Sequence, residues 1–551
     1  MALDPVDAVI VGAGGGGGVI AYELARHGWN VALLERGRVQ EFHETGHLEL
    51  RSQRTTVLGN AFGPPDREHP RVRQNERGEW VRVYPSEGGY NNIAAVVGGG
   101  TLSYGAMAWR FLPKDFRMKS TYGAPANSTL EDWPISYDDL APYYEKAEWE
   151  IGVSGKRGSN PFDGPRGKEY PMPPLPFNRE ATILSKAARG LGLHPFPIPM
   201  AINSREYMGR PGCIQCPHCV GFRCEVDAKS STAVTVIPRA IATGNCRLYT
   251  QAIAKEILLD AQGNARAVAY INEDNELVEQ PAKVVIVACG ATESARLLLN
   301  SKSKLHPNGL GNRHDWVGRN LQGHAYSGAF GLFDQEIYDG LGPGARLALC
   351  DYNHGNPGIV GGGMLANEFI RLPYLFARSV RPPGTPRWGK AHKDFQRRFY
   401  RHSMGFKSPV QEVPNWEARV SIDPNVRDAW GIPVLRLSGQ RHEEDLKTGR
   451  FMAEKAAEVL KAAGATQVWL TPSGRGLSGG QHQAGTARMS KDPKLGATDT
   501  HCRLHDVDNV FLADGSPHVT NGGFNPSLTI QALAFRTGEF IAKSGLRAKS
   551  I

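Results

Sequence analysis

The sequence lacks most of the features that place a chain in a special class. It holds no apolar run long enough to cross a membrane, and no leader or twin-arginine pattern precedes its first apolar stretch. The expected location is therefore cytoplasmic by default, or periplasmic if the chain is exported with a signal-bearing partner subunit. No sign of charge dominates: 64 basic residues against 55 acidic ones leave a formal charge of +9, and the basic residues are scattered. With no basic-aromatic module among them, nucleic acid is not an expected partner. Cysteine is scarce, with 8 in 551 residues, and with no signal peptide in view disulfides are not expected. Internal repeats and low-complexity tracts are missing too. What is present is ordinary globular composition, 40% hydrophobic and 22% charged, in a chain long enough for two or three domains.

The most informative stretch is 7–37, DAVIVGAGGGGGVIAYELARHGWNVALLERG. It reads as strand, glycine turn, helix, strand. The run Ala8-Val9-Ile10-Val11 suits a parallel strand buried on both faces. Gly12, Gly14 and Gly17 fall at the G-x-G-x-x-G spacing. The first permits the tight turn, the second lets a pyrophosphate approach the backbone, and the third lets the helix pack on the strand. A helix from 17 to 27 offers free N–H groups and its positive dipole end to that phosphate. The second strand, Val31–Leu34, ends in Glu35, 23 residues beyond Gly12. A carboxylate there accepts from both hydroxyls of an adenosine ribose and repels a 2′-phosphate, which argues against NADP. The motif alone does not separate FAD from NAD.

Further along, Gly98, Gly99 and Gly100 suggest backbone pressed close to a ligand. Ser136 is an expected N-cap for a helix carrying Tyr143, Tyr144 and Glu145. The Pro- and Gly-rich stretch 155–177 reads as an ordered loop. Two alternating strands, 252–260 and 267–273, flank a turn at Gln262-Gly263-Asn264. A second strand-turn-helix crossing, VVIVACGATESARLLL, occupies 284–299. From 326 to 475 the pattern turns to scattered strands interrupted by one long helix at 442–463, as in a substrate domain. Within it Arg371, Arg378, Arg381, Arg387, Arg397, Arg398 and Arg401 lie among aromatics. They read as a solvated surface or lid, with an acidic redox partner or an anionic substrate as the alternative. A last strand at 510–512 and a helix at 528–543 close the chain.

These motifs, in this order, resemble the glucose–methanol–choline (GMC) oxidoreductases, FAD enzymes that oxidise alcohols. The resemblance rests on the fingerprint at 7–37, VGGGTLSYGAMAWR (97–110), VVIVACGATESARLLL (284–299), VGRNLQGH (317–324), ARVSIDPNVRDAWGIPVLR (418–436), HQAGTARM (482–489) and FLADGSPHVTNGGFNPSLTIQALA (511–534). Thr101 and Ala418 depart from the residues common at those positions. The resemblance implies an α/β architecture: a Rossmann-like FAD-binding domain with a discontinuous α+β substrate-binding domain. FAD-binding parts would lie at 1–110, 211–325 and 476–551, the middle one with a cysteine-rich segment. Substrate-domain parts would lie at 111–210 and 326–475. By family position Gly12, Gly14, Gly17 and Glu35 would hold the ADP half, Gly98, Gly99 and Gly100 would pass near the flavin, and Asp514 and Gly515 would sit by the pyrophosphate and ribityl chain. His482 matches the catalytic histidine, and Asn525 the second active-site position. That chemistry is coherent. An alcohol loses a hydride to the flavin and a proton to a base, and imidazole, with a pKa of about 6.5, suits the proton. An amide cannot take a proton but can hold the hydroxyl. His505 and His518 are expected to be structural, and His324 is left open between structure and chemistry.

Cys213, Cys216, Cys219 and Cys224 form a dense run in which four thiolates could reach one zinc or iron–sulfur centre, with His218 as a bystander. Cys246, Cys289, Cys350 and Cys502 read as small buried hydrophobes. The segment CIQCPHCVGFRCEVDAKSS resembles that of the flavoprotein subunits of bacterial sugar dehydrogenases, of the gluconate 2-dehydrogenase and glucoside 3-dehydrogenase type. That implies a sugar-like small-molecule substrate and an electron-transfer partner, a cytochrome or small subunit. The leading expectation is a dehydrogenase of a sugar, sugar acid or glycoside. A peroxide-forming oxidase of the same fold and a non-catalytic flavoprotein subunit are the alternatives.

Overall fold

The computed structural model describes residues 3–50, 61–367, 371–478, 480 and 482–548. Its centre is the strand Val6–Val11, which is buried and pairs in parallel with Val31–Leu34 on one side and Leu277–Val287 on the other. Cys246–Tyr249 extends the sheet beyond Val31–Leu34, and Val510–Leu512 adds in parallel to Leu277–Val287. The strand Leu277–Val287 changes character along its length. Its first half alternates in burial and pairs antiparallel with Ala265–Ile271. Its second half, Val284-Val285-Ile286-Val287, is buried throughout and joins the parallel core. The switch from alternating to continuous apolar residues records a strand that leaves a half-covered ribbon and enters a sheet covered on both faces. The first helix, Gly17–Arg26, packs over this parallel sheet together with the last long helix, Ser527–Lys543.

A second sheet runs in the order Gln467–Thr471, Ala325–Leu332, Ser403–Val410, Leu365–Asn367, Leu347–Leu349, Phe196–Pro197, and is antiparallel throughout. The helix Glu443–Ala462 covers it, entered through a capping box in which Asp445 accepts from the His442 N–H and His442 Nδ1 accepts from Glu444 N–H. The segment 326–475 does not stay together, however. Its hairpin Arg419–Arg427 and Pro433–Ser438 pairs with Arg71–Gln74 and Trp80–Val83 in a separate four-stranded sheet. Ser136 caps the helix Tyr137–Ile151, accepting from Asp139 N–H at 3.2 Å. Tyr144 of that helix meets Thr529 of the last helix, hydroxyl to hydroxyl, at 2.8 Å. Residues 155–177 carry no helix or strand. No helix among the described residues is long and apolar enough to cross a membrane.

One expectation fails within the basic stretch. Arg371 is no part of a solvated surface: it is buried, its guanidinium donating to the Ser403 carbonyl at 2.6 Å and to Glu180 at 3.0 Å. A buried carboxylate on a neighbouring helix demanded a partner, and Arg371 is the cation within reach. Arg378, Arg387, Arg397, Arg398 and Arg401 are exposed as expected.

Candidate active site

One cavity of about 670 Å³ is lined by Gly12, Gly14 and Glu35, by Gly99 and Gly100, by Asp514 and Gly515, and by His482 and Asn525. Four stretches far apart in sequence therefore share a single enclosure. At the fingerprint, Gly12 has φ +104°, and a Cβ there would run into the Ala288 carbonyl. A Cβ on Gly17 would strike the Gly12 carbonyl, so Gly17 serves helix packing and does not line the cavity. Gly98 is likewise outside the lining, pressed against Ser231 and Ala233. Gly99 meets Gly14 backbone to backbone, where a Cβ would come within 2.8 Å of the Gly14 Cα. Glu35 is held by Ala13 N–H and Gly37 N–H, both at 2.9 Å, and burial raises its pKa against those bonds. Asp514 is turned into the protein. It accepts from Gly290 N–H and Ser294 Oγ through one oxygen and from Ser516 N–H and Oγ through the other. It thereby ties the second strand-helix crossing to the last strand.

This donor set and shape fit FAD. The side-chain-free wall at Gly12, Gly14, Gly99 and Gly100 leaves a backbone cradle, Glu35 offers a ribose carboxylate, and the cavity is of ligand size. The cofactor would be held by those residues and would supply the redox chemistry.

At the reacting end His482 is half-buried and sits at φ +62°, in the left-handed region that costs a non-glycine residue energy. Its carbonyl accepts from Asn521 Nδ2 at 2.6 Å, which helps hold that conformation. Its ring Nε2 lies 3.1 Å from Asn525 Nδ2, and its Nδ1 lies 2.8 Å from His324 Nδ1. Asn525 stands just before the last helix. Trp109 Nε1–H donates to its Oδ1 at 3.2 Å, and an indole can only donate, so the amide nitrogen must face His482 and the Tyr326 hydroxyl at 3.3 Å. The structure thus brings His482 and Asn525 together, and adds three residues the sequence did not assign to the site. Trp109 and Tyr326 had no signal beyond being aromatic in a family motif and a strand. His324 had been left open. His518 is structural: it is fully buried between Phe111 and Trp133, donates no bond to the cavity, and burial pulls its pKa down to about 4. His505 bonds the Ser490 carbonyl, away from the cavity.

The cysteine run behaves otherwise than its spacing suggests. Among the described residues no three His, Cys, Asp or Glu side chains converge so as to hold a metal ion, and Cys213, Cys216, Cys219 and Cys224 are free thiols. Nothing in the arrangement shows a zinc or iron–sulfur centre at these four thiols. The buried Lys229 gathers the loop by its carbonyls, donating to Cys219 O at 2.5 Å, Phe222 O at 2.7 Å and Tyr104 O at 3.1 Å. His218 stacks on His47 with ring centroids 4.5 Å apart. The loop still borders the cavity through Val220. Of the dispersed cysteines, Cys246, Cys350 and Cys502 are buried, whereas Cys289 lines the cavity beside the fingerprint.

The sequence profile of GMC oxidoreductases matches this chain over residues 90–326 and 414–534. The 2-methyl-1,2-propanediol dehydrogenase of Mycolicibacterium austroafricanum is 30% identical, over 98% of this chain and 96% of its own. The fructose dehydrogenase large subunit of Gluconobacter japonicus is 27% identical, over 97% of both chains. The gluconate 2-dehydrogenase flavoprotein of Pantoea cypripedii is 26% identical, over 99% of this chain and 95% of its own. Among solved structures, pyridoxine 4-oxidase from Mesorbium loti superposes with a TM-score of 0.65 over 97% of this chain and 98% of its own, at 17% identity, which speaks for the fold. A Rossmann-like cavity wall, a histidine–asparagine pair at its far end and full-length relatives that oxidise alcohols agree, and the chain belongs to the GMC oxidoreductase family, whose members act on CH–OH donors.

Proposed function

We propose that this chain oxidises an alcohol group of a sugar, sugar acid or glycoside, with His482 as the base and Asn525 as the residue that orients the hydroxyl. The observation that carries this reading is the 3.1 Å pair of His482 Nε2 and Asn525 Nδ2 on the wall of the cavity that Glu35 and the glycine cradle also line. FAD held in the cavity would supply the electron acceptor. The chain itself handles the proton and the position. The imidazole of His482 takes the hydroxyl proton, and the Asn525 amide N–H holds the oxygen that is losing it. Tyr326, Ser473 and Arg441 line the cavity as well, giving a polyhydroxylated ligand several partners. The names of two relatives, a fructose dehydrogenase subunit and a gluconate 2-dehydrogenase flavoprotein, support a sugar-like substrate. The exposed cations Arg378, Arg387, Arg397, Arg398 and Arg401 suit an acidic electron-accepting partner.

The test is anaerobic. Gluconate, fructose, glucose and a simple glucoside are added in turn to the purified flavoprotein, and bleaching of the flavin bands by one of them is the expected result. His482→Ala should keep its FAD and reduce it at least about a hundredfold more slowly. Near-normal reduction in that variant removes His482 as the base. Bleaching by none of the sugars removes the substrate class.

A further inference from the structure

We propose that His324 sets the tautomer of His482, holding Nδ1 protonated and leaving Nε2 unprotonated to receive the substrate's proton. This rests on His482 being the base. The argument comes from a chain of hydrogen bonds whose two ends permit only one direction. At one end His324 Nε2 lies 2.6 Å from the Gly522 carbonyl, which can only accept, so His324 Nε2 carries its proton. A neutral imidazole protonated at Nε2 has a lone pair at Nδ1. His324 Nδ1 therefore accepts from His482 Nδ1–H across 2.8 Å. At the other end the Trp109 indole can only donate. It fixes Asn525 with its oxygen toward Trp109 and its amide N–H toward His482 Nε2, which must then accept. Both ends give the same assignment independently: Trp109 to Asn525, Asn525 to His482, His482 to His324, His324 to Gly522.

His324 is buried, and that burial lowers its pKa; the Gly522 and Asn521 carbonyls and the more distant Glu412 and Asp115 pull the other way without prevailing. The titratable groups around the two rings are Tyr326 on the strand that follows His324, His518 and Asp115 behind it, and Glu412 on the facing loop. A protonated His324 would force His482 Nδ1 to accept and its Nε2 to donate. Two donors, His482 Nε2–H and the Asn525 amide, would then face each other across 3.1 Å. When His482 gains a proton at Nε2, its Nδ1–H keeps the same neutral acceptor, which stabilises an imidazolium less than a carboxylate does. His324 is a positioning residue in this scheme, for it acts through His482. Because the lone pair of His482 Nε2 already receives the Asn525 N–H, a substrate hydroxyl inserted between the two would donate to the ring and accept from the amide.

The test compares His324→Leu, which has no acceptor, with His324→Asn, whose Oδ1 hangs from Cγ as Nδ1 does. Anaerobic flavin reduction at saturating substrate is measured from pH 5.5 to 9, together with FAD content and thermal midpoint. His324→Leu is expected to retain FAD, to be slower by about tenfold or more at pH 7.5, and to show its pH midpoint shifted down, because the imidazolium has lost an acceptor. His324→Asn should recover most of the rate and the wild-type midpoint. Equal slowing of both variants with an unmoved midpoint means that His324 only fills space, and overturns the proposal. So does a wild-type rate and midpoint in His324→Leu. Should His324→Leu lose its FAD, His324→Asn decides alone: a wild-type midpoint supports the tautomer assignment and a displaced one overturns it. A normal rate in His482→Ala would instead remove the base itself, and is read separately.

Discussion

The two ends of the cavity are built by opposite means. The nucleotide end is made of backbone: Gly12, Gly14 and Gly99 work by having no side chain, and they lie in short contiguous runs. The reacting end is made of side chains, drawn from positions 109, 324, 326, 482 and 525, with Trp109 and Asn525 separated by 416 residues. At the first end, function requires space and exposed N–H groups, which a local turn provides. At the second it requires donors and acceptors in a fixed order, which only tertiary structure provides. The two ends should therefore fail differently when altered, the first by losing the cofactor and the second by losing rate with the cofactor in place.

The largest effect is expected at the first end, and two neighbouring glycines divide it. Gly12→Ala places a Cβ against the Ala288 carbonyl at a φ of +104°, so both packing and backbone oppose it. It should yield protein that retains no FAD and melts several degrees lower. Gly14→Ala meets nothing nearer than the Gly99 Cα at 3.9 Å. Its thermal midpoint without cofactor should match the wild type, while FAD retention falls because the Cβ stands on the cavity wall. The ratio of flavin to protein absorbance and a thermal melt separate the two. If Gly14→Ala melts as low as Gly12→Ala, the cradle is structural and the contrast between the ends weakens.

The second effect concerns pH and the scaffold behind the reacting end. His518 is fully buried, and its pKa is pulled down to about 4 by loss of solvation. A histidine with a lowered folded pKa contributes fully above its unfolded value of about 6.5, and that contribution is lost as pH falls from there through about 4. The linked loss is about 3 kcal/mol across that window. His518→Phe keeps the ring between Phe111 and Trp133 and removes the proton. Denaturant titrations from pH 7 to 4 should show a flatter dependence in the variant. The nucleotide end has its own acid-sensitive group in His69, whose pKa is lowered to about 3 by burial and by Arg36. A residual slope therefore remains, and an unchanged slope in His518→Phe would remove His518 as a source of the acid sensitivity.

What could be read from the sequence follows the same division. The strand Val6–Val11, the helix Gly17–Arg26 and Glu35 announce themselves because each is specified by its own neighbours. The cap at Ser136 is local for the same reason. His482 and Asn525 were accessible through family motifs, but not the bonds between them, since no spacing encodes a contact across 43 residues. Tyr326 looks like an ordinary strand residue, and Trp109 like one more aromatic in a family motif. The cysteine spacing points to a metal centre but says nothing of Lys229, which gathers the loop by its carbonyls. Arg371 was misread similarly: a basic residue in a basic stretch looks exposed until the buried Glu180 is seen beside it.

The smallest effect expected is the most specific to the reacting end. Trp109→Phe removes one N–H, the donor to Asn525 Oδ1 at 3.2 Å, and leaves an aromatic ring against Phe196 and Phe524. A single hydrogen bond of this kind is worth about 1 kcal/mol net, which corresponds to a rate of flavin reduction lower by about fivefold. FAD content should not change, because Trp109 does not line the cavity. The size of the drop discriminates between arrangements. Without the indole, Asn525 is oriented by Tyr326 and His482 only, and its amide can turn so that oxygen faces the ring, which would oppose a bare Nε2. An unchanged rate would mean that those two contacts suffice and that the chain of bonds is shorter at this end than the geometry implies. A loss beyond about a hundredfold would mean that the indole does more than hold an amide, and would move Trp109 from support to direct contact with the substrate.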